Sequence, residues 1–250
     1  MINNEVVKLT YLDDTIAVVA LEDRVAKNTI THSFNEQLIN TFRIIKDNPM
    51  LKVVIVHGYD NFFMCGGSQD ELLNLSSGKG TFADLNFYRL FLDCDLPIIA
   101  AMQGHSIGGG LIMGCYADMI IMAEEAFYSA NFMKYGFTPG FGATYILAQK
   151  FGKVIADSML LGAQNYQGSQ LKQWGVSAKI IRKMDVIPTA IEMAKTLSTK
   201  SRAALLLLKS HLTSKYKHEL PAYIEKELQM HQLTFGSDEV KNRIETLFGK

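Results

Sequence analysis

Two glycine-bearing turns are the parts of this 250-residue chain best suited to do chemistry. The first is Phe63-Met64-Cys65-Gly66-Gly67, and the second is Gly104-His105-Ser106-Ile107-Gly108-Gly109-Gly110. Each follows an apolar run typical of a buried strand and leads into a helical pattern, so its backbone N–H groups can approach a ligand. Two N–H groups that converge on one oxygen form an oxyanion hole, in which each donor stabilises developing negative charge by about 3 kcal/mol. Tight helix packing or a simple turn explains either motif equally well when it stands alone.

The second turn also fits the G-x-S-x-G nucleophile elbow of α/β-hydrolases, in which Ser106 would be the nucleophile. That enzyme class needs an acid and then a histidine after the serine in chain order. Beyond residue 183 the sequence shows helical periodicity only, so no loop after a strand remains to present the histidine. We therefore interpret Ser106 as a turn residue, and Cys65 as a small packing residue rather than a nucleophile.

Composition indicates a globular protein with a sizeable core. Hydrophobic residues make up 48% of the chain, and 25 basic residues balance 25 acidic ones, which argues against a nucleic-acid or membrane partner. The three cysteines (Cys65, Cys94 and Cys115) lack the paired spacing of a zinc site, and their odd, sparse number is typical of reduced thiols. That cysteine spacing predicts a protein without a metal. Because we find neither a signal peptide nor about 20 consecutive apolar residues, we also predict a cytoplasmic location.

The hydrophobic pattern predicts strand pairs followed by helices over the first two-thirds of the chain. Strands are predicted at 6–12, 15–21, 52–56, 97–101, 119–123 and 178–181. Helices are predicted from a cap at Ser33 to a stop before Pro49, and at 69–75, 81–93, 109–116, 143–150 and 153–161. From residue 186 the pattern predicts three or four helices. We therefore expect an α/β core over residues 1–190 that holds the site, and a C-terminal helical region over residues 191–250.

In this order and spacing, the motifs of the chain resemble those of the crotonase superfamily, which is the enoyl-CoA hydratase/isomerase family. The similar stretches are 21–24 with 27–28, the two glycine turns, Ala117-Asp118, and the glycines and proline of 136–142. The resemblance covers nearly the whole chain and implies an α/β spiral of ββα turns followed by a C-terminal helical region. It also implies a homotrimer or a dimer of trimers, with the C-terminal helices at subunit contacts.

The same resemblance implies that the N–H groups of Gly67 and Gly109 form the oxyanion hole. The ligand would be an acyl thioester on a phosphopantetheine arm, and its enolate would be the stabilised intermediate. No further cofactor is implied. Hydratases of the family use two glutamates to activate water, and their positions are occupied here by Ile112 and Phe132, which we place in the substrate pocket. Because neither side chain holds a proton, hydration and isomerisation by a glutamate base are excluded, which favours decarboxylation.

Residues 102–110 and 131–139 resemble the decarboxylases of polyketide β-branching cassettes. Those enzymes convert 3-methylglutaconyl to 3-methylcrotonyl thioesters on an acyl carrier protein. The resemblance implies a catalytic lysine and a catalytic histidine, for which the best matches are Lys79 and His231, with Lys134 as the alternative lysine. From the residues alone, Lys79 is equally a solvated turn residue, and His231 is equally a hydrogen-bonded core residue on a helix face. Tyr88 and Tyr135 are expected to be walls of the pocket.

Three hypotheses follow: a decarboxylating lyase, an enoyl isomerase in which Lys79 or His231 moves the proton, and a non-catalytic thioester-binding protein. The sequence leaves open whether coenzyme A or a carrier protein bears the acyl group. Arg24 and Lys27 are placed to meet the phosphates of coenzyme A. Six further cations are candidates to meet an acidic carrier protein: Lys179, Arg182, Lys183, Lys209, Lys215 and Lys217. Both sets are equally explained as solvated charges.

Overall fold

A computed structural model of the protein describes residues 5–79 and 89–248. Within these residues the chain forms two β-sheets surrounded by helices. The helix predicted over 81–93 is described only at Leu90–Asp93, and Tyr88 lies outside the described residues. No helix in the described ranges combines the length and the apolar character that crossing a membrane requires.

The larger sheet has six strands in the order β1-β2-β3-β5-β7-β10. The strands are β1 Val7–Asp13, β2 Ile16–Leu21, β3 Val53–His57, β5 Ile98–Met102, β7 Met119–Ala123 and β10 Lys179–Ile181. The first two strands pair antiparallel, and from β2 to β10 the neighbours are parallel. Parallel strands are covered on both faces, which explains why β3 and β5 are continuous apolar runs. The predicted strands are confirmed within one or two residues at their ends.

The smaller sheet has four short strands in the order β4-β6-β8-β9. The strands are β4 Phe62–Met64, β6 His105–Ile107, β8 Phe127–Ser129 and β9 Tyr166–Gln167. The sequence pattern missed this sheet, because strands of two or three residues are too short to show an alternation. The glycine turns therefore follow the short strands β4 and β6, and not the long apolar strands directly.

Ten helices occur in the described residues. The first five are α1 His32–Asp47, α2 Gln69–Ser76, α3 Leu90–Asp93, α4 Gly109–Cys115 and α5 Ala143–Phe151. The others are α6 Lys153–Gly162, α7 Gly168–Gln173, α8 Lys183–Ser198, α9 Arg202–Thr234 and α10 Asp238–Leu247. Helix α1 is capped by Thr31, two residues before the predicted cap Ser33, because the Thr31 side chain accepts the Phe34 N–H.

The spiral of ββα turns is confirmed. Three times along the chain, a strand of the larger sheet is followed by a strand of the smaller sheet and then by a helix: β3-β4-α2, β5-β6-α4 and β7-β8-α5. The expected division at residues 190 and 191 falls within α8, which packs against β3, β5 and β7 of the larger sheet. Helix α10 packs against α2 of the same chain, so part of the C-terminal region covers the core.

Candidate active site

The smaller sheet brings the two glycine turns together. Strands β4 and β6 are parallel neighbours, with Phe62 opposite His105 and Met64 opposite Ser106. The carboxyl ends of parallel strands lie at the same edge of a sheet, so the turns that follow them become neighbours. Strand β8 pairs parallel with β6 on the side away from β4. The chain after β8 forms a 3₁₀ turn over residues 131–135 at the same edge of the sheet.

Close backbone packing between the turns explains three of the glycines. A β-carbon on Gly110 would lie 2.2 Å from the carbonyl oxygen of Met64, so α4 can start against β4 only with glycine there. A β-carbon on Gly66 would lie 3.0 Å from the Ile107 carbonyl oxygen and 3.3 Å from the Gly109 nitrogen. Gly66 and Gly108 also have positive φ angles of 65° and 54°, which a side chain would disfavour.

The N–H groups of Gly67 and Gly109 remain available in this arrangement. Both residues line the same cavity. Gly109 is the first residue of α4, where N–H groups have no partner within the helix, and neither N–H donates to another described residue. The neighbouring Gly108 N–H, by contrast, donates to the Ser129 carbonyl oxygen at 2.7 Å. Both N–H groups therefore border the same cavity without a described acceptor, as the predicted oxyanion hole requires.

The cavity has a volume of about 580 Å³, and eight of its 23 described lining residues carry an aromatic ring. The aromatic residues are Phe62, Phe127, Phe132, Tyr135, Phe137, Phe141 and Phe248, together with His105. Polar side chains in its lining are Lys27, Thr29, Ser68, Asn131, Lys134 and Asn165. No Asp or Glu is found among the described residues that line it. An acyl group bound here meets no carboxylate base from this part of the chain.

The structure separates the two predicted pocket residues. Phe132 lines the cavity and is nearly buried. Ile112 lies within the core on α4, is fully buried, and does not line the cavity, which corrects the prediction for this residue. The reason is that Ile112 lies one helical turn beyond Gly109, where the helix has already entered the apolar core. A glutamate at position 112 would be a buried carboxylate with a large desolvation cost.

The loop after β2 forms the wall beside the first glycine turn, where the Ile30 N–H donates to the Gly66 carbonyl oxygen at 2.6 Å. Asn28 is fully buried and holds this loop, because its side-chain amide donates to the carbonyl oxygens of Leu21 and Phe63 and its oxygen accepts the Asp23 N–H. Lys27 beside it lines the cavity, with its Nζ 5.7 Å from the centre of the Phe62 ring. Asn28 is therefore structural, and the lysine next to it faces the ligand space.

Burial determines the protonation of the other groups near the turns. It raises the pKa of the Cys65 thiol to about 12, so Cys65 is a packing residue with little thiolate character. The pKa of His105 is lowered by burial and by the nearby Lys183 cation, which keeps the ring neutral. The His105 Nδ1 accepts the Phe127 N–H at 3.0 Å, which is a structural role. Ser106 is fully buried and does not line the cavity, which argues against a serine nucleophile.

Lys79 and His231 lie away from the described cavity lining. Lys79 follows α2, and its side chain is exposed. His231 on α9 is almost buried, and its Nε2 is 2.6 Å from the Thr138 carbonyl oxygen, to which it donates. Its ring lies 6.4 Å from that of Phe137, which does line the cavity. Lys134, the alternative lysine, is part of the lining, as is Tyr135.

One of the six cations proposed to meet a carrier protein is buried, which corrects that prediction. Lys209 is 4% exposed and lies 2.9 Å from Asp118 Oδ2, while its Nζ donates to the carbonyl oxygens of Phe91 and Leu96. These contacts of Lys209 hold α9 against the core. Lys183 donates to Asn61 and is near His105 of the cavity lining, whereas Arg24 pairs with Asp60 and stacks on Tyr59.

Sequence reasoning missed residues that shape the cavity from other elements. Phe141, between two glycines, lines the cavity next to Gly109. Glu227 on α9 is 1% exposed and accepts the N–H groups of Gly142 and Thr144. Glu227 is buried, whereas the apolar residue next to it, Leu228, is only half-buried. Helical spacing from Ile224 and His231 was the available signal for Glu227.

A sequence model described as enoyl-CoA hydratase/isomerase matches residues 12–248. Over 246 residues the chain is 46% identical to the bacillaene synthase decarboxylase PksI of Bacillus subtilis, covering 98% of this chain and 99% of that protein.

Two solved structures are similar throughout. One belongs to a dehydratase/decarboxylase enzyme couple involved in polyketide β-branching, with a TM-score of 0.97, 46% identity, and coverage of 98% of this chain and 100% of that one. The other is the ECH2 decarboxylase domain of CurF from Lyngbya majuscula, with a TM-score of 0.94, 38% identity and the same coverage of each chain.

Proposed function

The chain belongs to the enoyl-CoA hydratase/isomerase family, and within it we propose a decarboxylase of polyketide β-branching. The proposed substrate is a 3-methylglutaconyl-type acyl thioester, and the product is the 3-methylcrotonyl-type thioester. The enzyme is thus a lyase, like the decarboxylases to which it is similar over nearly all of its length.

One observation carries this function: the cavity joins two backbone N–H donors to a lining without a described carboxylate side chain. Hydration needs a group that activates water. Decarboxylation needs only an acceptor for the electron pair. The C–C bond to the carboxylate breaks, carbon dioxide leaves, and the pair moves through the C=C bond into the thioester carbonyl. The resulting dienolate oxygen receives the N–H groups of Gly67 and Gly109, each worth about 3 kcal/mol.

A proton must then reach the carbon that lost the carboxylate, because only that position gives the conjugated product. We assign this proton to Lys79, whose ammonium group also suits an incoming carboxylate. We assign the orientation of the carboxylate to His231, held on α9. Lys134 in the cavity lining is the alternative proton donor.

We propose that an acyl carrier protein presents the substrate on its phosphopantetheine arm. Support comes from the β-branching relatives and from two cations, Lys27 in the cavity lining and Lys183 near His105, which would attract an acidic partner. A cytoplasmic location and a homotrimer or dimer of trimers complete the proposal. No cofactor besides the substrate's own arm is needed for the chemistry.

The decisive experiment incubates the purified protein with a 3-methylglutaconyl thioester, once on carrier protein and once on coenzyme A. Intact mass spectrometry should show the loss of carbon dioxide, with faster turnover on the carrier. Unchanged mass with a shifted ultraviolet absorbance would identify an isomerase instead. Binding without either change would identify a non-catalytic thioester-binding protein.

A further inference from the structure

The peptide bond between Phe141 and Gly142 is held at both ends by buried side chains from different helices. The Tyr116 hydroxyl, at the end of α4, donates to the Phe141 carbonyl oxygen at 2.7 Å. The Glu227 carboxylate, on α9, accepts the Gly142 N–H at 2.7 Å. Because the carbonyl and the N–H belong to one planar peptide unit, the two side chains fix its orientation completely.

This peptide needs such restraint. Phe141 has a φ of 62°, in the left-handed region that a bulky residue rarely adopts, and Gly142 follows with a φ of 72°. Strained backbone of this kind persists only where its surroundings hold it, and it concentrates at functional sites. A β-carbon on Gly142 would lie 2.3 Å from the Tyr116 hydroxyl, so the fit between these groups is tight.

The conformation of Phe141 matters because its ring covers the second glycine turn. A β-carbon on Gly109 would lie 3.1 Å from Phe141 Cε2, which places the ring directly against the Gly109 backbone. Phe141 is 5% exposed and lines the cavity. Tyr116 and Gly109 lie on opposite ends of α4, so this short helix contacts Phe141 twice.

We propose that Tyr116 and Glu227 are positioning residues that fix the Phe141 ring against Gly109 and thereby set the geometry of the oxyanion hole. The inference rests on the proposed function of that hole, and it gives the C-terminal helix α9 a role in catalysis through Glu227. Neither side chain touches substrate. Both act through the one peptide unit that they share.

The test compares Tyr116→Phe, Glu227→Gln and the double variant with Tyr145→Phe. The Tyr145 hydroxyl, on α5, donates at 2.8 Å to Glu219 on α9, the helix that also carries Glu227, and this bond does not involve Phe141. It is therefore a matched control for loosened helix packing. We call Tyr116→Phe and Glu227→Gln the clamp variants. For each of them we expect about a tenfold fall in kcat, with KM within about twofold of wild type. The kcat of the double variant should be no lower than that of the less active single variant, because the Tyr116 and Glu227 side chains hold the same peptide unit.

A spectroscopic measurement separates positioning from mere stability. The probe is 3-methylcrotonyl pantetheine with ¹³C at the thioester carbonyl, observed by infrared difference spectroscopy. In the wild type the oxyanion donors should lower the carbonyl frequency, and in Tyr116→Phe and Glu227→Gln the band should move back towards its value in water. Tyr145→Phe should leave the band in place.

Three results would overturn the inference: wild-type kcat and an unmoved band in both clamp variants, an equal loss in Tyr145→Phe, or no carbonyl shift in the wild type. Failure of the proposed function is a different result, namely wild-type protein that releases no carbon dioxide from the glutaconyl thioester. In that case the infrared band still decides whether Tyr116 and Glu227 position the hole.

Discussion

The two sides of the cavity are built by different means. The backbone side, residues 65–67 and 108–109, takes its shape from strand pairing and from glycines that allow main chains to touch. The loop side, residues 136–142, is held by side chains that arrive from elsewhere: Tyr116, Glu227 and His231. The backbone side therefore tolerates few added atoms, whereas the loop side can be altered one hydrogen bond at a time.

The largest effect should come from removing a donor on the backbone side. Proline at position 109 has no N–H, yet proline is accepted at the first position of a helix. We expect Gly109→Pro to lower kcat about 10²- to 10³-fold. Gly109→Ala keeps the N–H, and its kcat should fall less than about tenfold, because the added methyl group displaces the Phe141 ring only slightly. Turnover and circular dichroism of both variants check this, and a folded Gly109→Pro protein with near-normal turnover would place the hole elsewhere.

The next effect concerns a residue on neither side, Lys79. If its ammonium delivers the proton, Lys79→Ala should slow turnover about 100-fold and shift the product towards the unconjugated isomer. Turnover in deuterated water, with the label located by NMR, measures both quantities. Lys134→Ala is the matched comparison, and it should keep the isomer ratio. A shifted ratio in Lys134→Ala alone would transfer the role to the lysine that lines the cavity.

A smaller effect is expected on the loop side at His231. We predict that His231→Ala slows decarboxylation about tenfold, because the orientation of the carboxylate and the tie to Thr138 are both lost. The isomer ratio should stay nearly unchanged, since proton delivery is assigned to another group. His231→Gln keeps an amide donor and should recover part of the rate. Normal rates in both variants would show that the residue is purely structural.

The smallest effect is on stability as a function of pH. Burial lowers the pKa of His231, so the folded protein resists a proton that the unfolded chain accepts. The stability that the neutral ring provides is present above the unfolded pKa of about 6.5 and is lost as pH falls below it. Urea denaturation between pH 8 and pH 5 should thus show a shallower loss in His231→Gln than in wild type. His211→Gln, which replaces an exposed histidine on the same helix, controls for the loss of an imidazole.

Most of the larger sheet could be predicted, because its strands are long apolar runs with clear ends. The 3-residue strands β4, β6 and β8 could not, and they are what joins the glycine turns. Gly67 and Gly109 were found without that sheet, since the family resemblance fixed their positions by motif and not by geometry. Their placement on one cavity agrees with the predicted hole, whose catalytic role remains to be measured.

Side chains that act across long sequence separations were the hardest to foresee. Glu227 contacts Gly142 from 85 residues away, and a buried glutamate breaks the apolar pattern on which helix faces are assigned. Lys209 was missed for the same reason, because a lysine is expected at the surface. Ile112 was placed in the pocket by motif, but the direction of α4 turns it into the core. Such errors arise where burial of a single residue depends on tertiary packing.

The short parallel strands also bear on how such a site can change during evolution. Each of β4, β6 and β8 ends at one edge, and residues just beyond them line the cavity, while the two proposed N–H donors belong to the main chain. A substitution at position 132 changes a side chain in the cavity lining and leaves the main-chain N–H groups of Gly67 and Gly109 in place. On the proposed mechanism, such a substitution keeps the electron acceptor. Selection can therefore act on weak new activities without first losing a folded, ligand-binding protein.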